Sequence, residues 1–513
     1  MPISLKLPVI DSNPILLAET RPNKINEFIQ NLPFGDSIRA ATDLIEEIQI
    51  INSQKVAFAN RLNALELYRP AAIQIYHDLI PHFSSASLPI SKNELAFVKV
   101  AEQLWQEFAY GYKSALVDLQ NKILNLNNNK STALVVQRAI HAIKEINLVH
   151  YLAYRSPSNV LWAEMHQLYF CALHQSADKH AVADSLAANN ETSVNSVYMQ
   201  ALLLALANPH HLANQDILKT NAYLTKIAGD ADLRPLGLIE NPTGIFLIEL
   251  DGDKPPIPYT KNRKLPNADT DILLVTINLA RRIHSHLKSL QEGVTPNDGS
   301  LPKEALTQHY DDLLTYLIKH FGKAPHRVFS RSKKSDGMEL GIGIHAAHHF
   351  IPKVGAEFKS FMVPSGALKP SRWQILNASA GGYALRKFNS SQAEVHVGDV
   401  AAIRNNKTLQ WELGILRWAN VNELNQLDVG IQLISPSVTA ISVKTENNAS
   451  EGEGLLLPEL STLKQPASII VPRGNHSTGQ TLQLINSDKQ TNVQLTKLME
   501  RTATFERFQY NLI

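Results

Sequence analysis

Arg327 and Arg331 stand four residues apart in PHRVFSRSKKSD (325–336), with Lys333 and Lys334 directly behind them. A guanidinium forks onto phosphate oxygens and also stacks on, or hydrogen-bonds to, a purine, which an ammonium group does poorly. The same letters describe a solvated basic linker equally well. Forty-six residues after Arg327, WQILNASAGGYAL (373–385) has the apolar alternation of a strand, broken by Asn377, Ser379 and the pair Gly381-Gly382. On extended chain Asn377, Ser379 and Gly381 face one way and Ala378, Ala380 and Gly382 the other. One face then offers an amide, a hydroxyl and bare backbone, which suits the hydrogen-bonding edge of a planar heterocycle. A bulge or a bend at a barrel corner accounts for the same glycines. Both readings stand.

The chain that must position these residues has 513 of them, 44% hydrophobic and 19% charged, too long for one compact core. Its 49 Lys plus Arg against 47 Asp plus Glu leave a net charge of +2, so no broad nucleic-acid surface is expected and any basic site must be local. The single cysteine, Cys171, excludes an intrachain disulfide framework and a cysteine-based zinc cluster. Its apolar context, LYFCALHQ, predicts a buried small hydrophobe. No run of 18 apolar residues is present, and the proline-broken start MPISLKLPVIDSNP lacks the apolar core of a secretory signal. A cytoplasmic protein is the simplest expectation.

Residues 1–229 repeat apolar positions at three- and four-residue intervals and are read as a helical amino-terminal region. Residues 230–324 form a mixed segment, with a strand at GIFLIELDG and helices at DTDILLVTINLARRIHSHLKSL and EALTQHYDDLLTYLIKHFG. From 325 to 445 short β-like runs punctuated by Gly, Asn, Asp and Pro have the spacing of a small antiparallel barrel. Residues 446–513 are read as a β/α extension packed on that barrel, with a helix at VQLTKLMER and a flexible joint at NNASEGEG. The fold expected is therefore multidomain α+β.

Taken together, the arginine pair and the NASAGG stretch resemble the PilZ domain, a bacterial receptor module for cyclic di-GMP. Its R-x-x-x-R element is matched by Arg327 and Arg331, and its [D/N]-x-S-x-x-G element by Asn377, Ser379 and Gly382. The resemblance covers roughly 325–445 and implies a six-stranded barrel. It also implies that the two arginines wrap the phosphates and guanine while the Asn/Ser/Gly strand receives a guanine edge. The 45 residues between Arg331 and Asn377 exceed the usual spacing in such domains, and FIPKVGAEFKSFMVPSGALKPSR is read as an insertion that folds over the ligand.

The function expected is a non-catalytic cyclic di-GMP effector that passes ligand capture to the helical region or to a protein partner, by drawing the Arg327–Lys334 linker onto the barrel and shifting the helix YDDLLTYLIKHFG. The alternative is a helical interaction scaffold whose barrel binds no nucleotide. A hydrolase or metalloenzyme built on His345, His348 and His349 is the third reading. The flanking GIGI and FI predict a strand there, with His345 and His349 on one face and His348 on the other, so no metal or cofactor is expected. Neither a nucleophile elbow nor a P-loop nor a dinucleotide fingerprint is present. The basic run at 261–264 is read as solvated.

Overall fold

The computed structural model describes residues 4–513 apart from 122–128, 186–189, 238, 240, 261–265, 323–335, 353–367, 389–391, 406–409, 446–447, 462–463 and 487–488. Arg327, Arg331, Lys333 and Lys334 lie outside the described residues, as do the basic run at 261–264 and most of the expected insertion. The chain divides into two compact units.

The first unit holds helices α1 (Pro22–Gln30), α2 (Ser37–Asn52), α3 (Phe58–Leu79), α4 (Pro81–Ser84), α5 (Lys92–Gln120), α6 (Asn129–Leu152), α7 (Asn159–His174), α8 (Val194–Leu206) and α9 (Asn214–Ile227). Local chemistry sets their starts. Asp36 caps α2 by accepting from the Arg39 amide, and Ser91 with Glu94 forms a capping box on α5. Helix α6 is enclosed by its neighbours, and its polar residues are buried with partners: Arg138 donates to Glu66 and to Asp184, which also receives a two-pronged bond from Arg69. Cys171 is buried, as its apolar context predicts.

A two-stranded ribbon, β1 (Val182–Ala183) and β2 (Glu191–Thr192), precedes an antiparallel sheet of β3 (Asp232–Pro235), β4 (Ile245–Glu249), β5 (Ile257–Pro258) and β6 (Asp271–Val275) in the order β3-β6-β4-β5. The run DILLV, expected to open a helix, is instead the strand β6. Between two neighbouring strands its side chains are buried on both faces, so it carries no alternation. Helix α10 (Ile277–Gln291) begins after it, followed by α11 (Tyr310–Gly322).

Helix α11 is fixed at two points. Its residues Leu313, Leu314, Leu317 and Phe321 are buried, and the Tyr316 hydroxyl donates to the carbonyls of Ala207 and Asn208 at 2.9 and 3.2 Å. Near its end the buried Thr276 hydroxyl lies 2.6 Å from the Phe321 carbonyl and 3.1 Å from that of Gly244.

The second unit contains two closed six-stranded antiparallel barrels. The first comprises β7 (Gly337–Ile342), β8 (Ser371–Ser379), β9 (Gly382–Lys387), β10 (Val400–Asn405), β11 (Trp411–Val421) and β12 (Leu427–Ser435), closed in the order β10-β11-β12-β9-β8-β7. Leu340, Trp373, Ile375, Leu385, Leu416, Val429 and Ile431 are buried along its inward-facing rows. This is the small six-stranded barrel expected from the sequence.

Between β7 and β8 the residues HAAHH form the helix α12 (Ile344–Phe350), not a strand. Gly343, with φ of +85°, turns the chain out of β7 and into the helix. The helix brings His345, His348 and His349 toward one side, and a carboxylate absent from their sequence neighbourhood arrives from elsewhere: His345 Nδ1 lies 2.7 Å from Glu453 Oε1, while His348 Nε2 donates to the Ile441 carbonyl at 3.0 Å. Among the described residues no group of three or more His, Cys, Asp or Glu could hold a metal ion.

The carboxy-terminal segment is not a β/α extension. It completes a second barrel of β13 (Thr439–Thr445), β14 (Asn448–Leu457), β15 (Ser468–Pro472), β16 (Thr481–Asn486), β17 (Lys489–Arg501) and β18 (Phe505–Leu512), closed in the order β13-β14-β15-β18-β17-β16. TAISVK, read with the first barrel, belongs to β13 and pairs within the second; ASEGEG lies in β14 rather than in a flexible joint. VQLTKLMER lies in β17 rather than in a helix. A shared core of Ala347 and Ile351, Val400, Ala402, Leu413 and Ile415, and Leu455, Ile470 and Phe505 joins the outer side of the first barrel to the second through α12.

Candidate functional site

WQILNASAGGYAL is a hairpin and not one strand. Strand β8 ends at Ser379, Ala380 and Gly381 form a two-residue turn, and Gly382 opens β9 directly opposite Ser379. The bulge considered from sequence is present, but it lies at Leu376, between the pairs Ile375↔Leu385 and Asn377↔Ala384. An extra residue there changes which side the following residues face. Ile375 stays with Leu385 in the barrel interior, whereas Asn377 pairs with Ala384 on the outer side.

Asn377 and Ser379 thus share the outer face, as expected from the alternation. Gly382 joins them on that face because the hairpin folds it back opposite Ser379, and Gly381 sits in the turn; both placements differ from the single-strand reading. The Asn377 side chain is half-exposed and makes no hydrogen bond to the described residues. The Ser379 hydroxyl points at the Gly382 carbonyl, 3.4 Å away, and the Leu433 amide donates to the Gly381 carbonyl at 3.0 Å. Gly382 has φ of +149°, and a Cβ there would stand 2.0 Å from the Ile431 carbonyl oxygen. The glycine is therefore required by the approach of β12 to the hairpin.

A second bulge mirrors the first. Between the pairs Leu416↔Ile431 and Trp418↔Gly430, Arg417 is the extra residue, and Trp418 consequently faces outward. Directly paired residues on neighbouring strands point to the same side. One outer row therefore runs Asn377, Ala384, Gly430, Trp418 across β8, β9, β12 and β11. The next row holds Gln374, Arg386 and Asp428, where Arg386 donates from Nε and Nη2 to the two Asp428 carboxylate oxygens at 2.6 and 2.8 Å. Nearby cations are also paired: Arg417 with Glu500 of β17, and Arg404 with Glu339 while it lies 4.7 Å above the Trp411 ring. On the inward side the Tyr383 hydroxyl meets Glu412, and burial raises the pKa of both groups. The outer face is thus a polar surface on which Arg386, Arg404 and Arg417 are each paired with a carboxylate.

Family models cover nearly the whole chain in three consecutive parts. Residues 23–236 match the amino-terminal domain of the cyclic-di-GMP receptor FimW, residues 245–372 and 365–439 its middle PilZ domain, and residues 438–513 the FimW carboxy-terminal β-barrel domain. The chain is a PilZ-domain protein. A curated relative, the cyclic-di-GMP receptor FimW of Pseudomonas aeruginosa, is 22% identical over an alignment covering 99% of this chain and 93% of the relative.

The PilZ match begins at residue 245, well before the barrel, and takes in β4, β6, α10 and α11 of the first unit. Of the motif residues in the PilZ barrel, Asn377, Ser379 and Gly382 come together on one outer hairpin face, while Arg327 and Arg331 lie outside the described residues. Trp418 went unnoticed in the sequence reading. Strict alternation from Leu416 would turn it inward, and the bulge at Arg417 leaves no mark in the letters.

Proposed function

We propose that this chain is a non-catalytic cyclic di-GMP effector whose ligand lies on the outer hairpin face of the PilZ barrel. The observation that carries the reading is the placement of Asn377 and Ser379 beside Gly382 on one outer face of the β8–β9 hairpin. Arg327 and Arg331 supply the forked donors for the phosphates and for a guanine, Asn377 and Ser379 meet a guanine edge, and the buried Gly382 lets β12 close against the hairpin that presents them. The name of the relative supports the ligand class. A dianionic ligand with two flat purines suits a platform that is polar and electrically balanced, with its cations delivered by a separate element.

The arginine element follows α11, whose last residue is Gly322. Because α11 is held at Tyr316 and Phe321, a pull on that element is delivered to the Ala207–Asn208 corner and to the sheet around Gly244 and Thr276, rather than tilting a free helix. We assign the output to the helical unit or to a protein partner bound by it, in the cytoplasm; among the described residues no helix is long and apolar enough to cross a membrane.

Isothermal titration of the full chain with cyclic di-GMP tests the reading. Saturable binding that is lost on Arg327→Ala plus Arg331→Ala is expected. Binding that survives the double substitution would remove those residues from the site, and absence of binding at high micromolar ligand would remove the function.

A further inference from the structure

We propose that Trp418 is a ligand-contact residue of this face: its indole is a floor on which a guanine ring of the bound dinucleotide lies. The inference rests on the cyclic di-GMP reading and adds to it a residue outside the two motifs.

Geometry carries it. Gly430 stands between Ala384 and Trp418 in the outer row, and a Cβ on Gly430 would fall 1.8 Å from Trp418 Nε1 and 2.2 Å from Cε2. The indole therefore lies down across the strand instead of standing away from it, in space that only glycine leaves open. Trp418 is half-exposed, and among the described residues no aromatic ring stacks on it and no cation lies over it. Asn377, at the other end of the row, is two inter-strand spacings from Gly430, about 10 Å. A purine stacked on the outer surface of the indole, above Gly430, turns its polar edge toward the Asn377 amide across Ala384, which is itself only 5% exposed. Base stacking on an aromatic face tolerates any base, so the tryptophan supplies affinity while Asn377 and Ser379 supply direction.

A merely structural role is the competing account, since a large aromatic laid over a strand glycine stabilises a sheet by covering it. The two differ in what a ligand changes. The test uses the full chain, cyclic di-GMP as probe, and the variants Trp418→Phe and Trp418→Leu. Tryptophan emission of the unaltered chain is expected to be quenched as ligand saturates, and the quench is expected to vanish in Trp418→Phe although the other four tryptophans remain. Trp418→Leu keeps an apolar cover on Gly430 and is expected to weaken binding roughly tenfold, with a urea midpoint close to that of Trp418→Phe. Unchanged affinity in Trp418→Leu, or an undiminished quench in Trp418→Phe, overturns the role of Trp418 while leaving the cyclic di-GMP reading in place. No binding by the unaltered chain overturns both.

Discussion

Gly382 and Ile431 approach so closely that a single methyl group on the glycine would stand 2.0 Å from the Ile431 carbonyl oxygen. The third fixed position of the NASAGG motif thus answers to strand packing. Gly382→Ala is expected to destabilise the first barrel by roughly 3 kcal/mol, through overpacking and an unfavourable positive φ. Urea denaturation followed by near-ultraviolet circular dichroism measures it, and a midpoint equal to that of the unaltered chain would contradict the packing account.

Asn377 should behave in the opposite way. Its side chain is half-exposed and makes no hydrogen bond to the described residues, so Asn377→Ala is expected to change the unfolding free energy in urea by no more than about 0.5 kcal/mol. Affinity for cyclic di-GMP is expected to fall roughly tenfold through the lost polar contacts. Calorimetric titration of the variant checks this, and full affinity would place the guanine edge elsewhere.

Tyr316 separates binding from transmission. Its hydroxyl holds the carbonyls of Ala207 and Asn208 to α11, and Tyr316→Phe removes both bonds while keeping the ring. A loss of about 1 kcal/mol in stability is expected, with ligand affinity unchanged. Hydrogen exchange at residues 205–209 is expected to respond to cyclic di-GMP in the unaltered chain and to stop responding in the variant. A response of the same size in both would show that the corner is reached by another route.

The helical unit should weaken in acid through His166. This buried side chain accepts from the Tyr198 hydroxyl at Nδ1 (2.6 Å) and donates from Nε2 to the Lys254 carbonyl (2.8 Å), an arrangement that requires the neutral ring. Burial lowers its pKa from 6.5 to about 4. Between those values the unfolded chain binds the proton that the folded chain refuses, so the contribution is complete above pH 6.5 and is lost as the pH falls toward 4. At pH 5 the loss relative to pH 7 is roughly 2 kcal/mol from this group. His166→Gln should flatten that part of the pH dependence in urea melts followed at 222 nm, and an equally steep dependence in the variant would assign it to other buried histidines.

The candidate face was legible in the sequence where residue identity carries the information. Asn377, Ser379 and Gly382 have letters that few strands use together, and they do meet on one face. What remained hidden depends on local backbone irregularity. In β17 the extra residues at Thr496 and Met499 break the two-residue period, so the apolar positions Val493, Leu495 and Leu498 acquire the three-residue step of a helix. The second barrel was missed for that reason. HAAHH misled in the opposite direction, because strand-like neighbours concealed the turn made at Gly343. DILLV, buried on both sides, has no period to read.

The two bulges have a consequence for how the candidate face is inherited. Asn377 and Trp418 point outward by virtue of one surplus residue each, Leu376 and Arg417, whatever the chemistry of that surplus residue. The platform is therefore encoded by counting, much as a reading frame is. Removing Leu376 would rotate Asn377 into the apolar interior with every letter of its motif intact, and removing Arg417 would do the same to Trp418. A single-residue deletion at either point is a more complete loss of the face than any substitution on it.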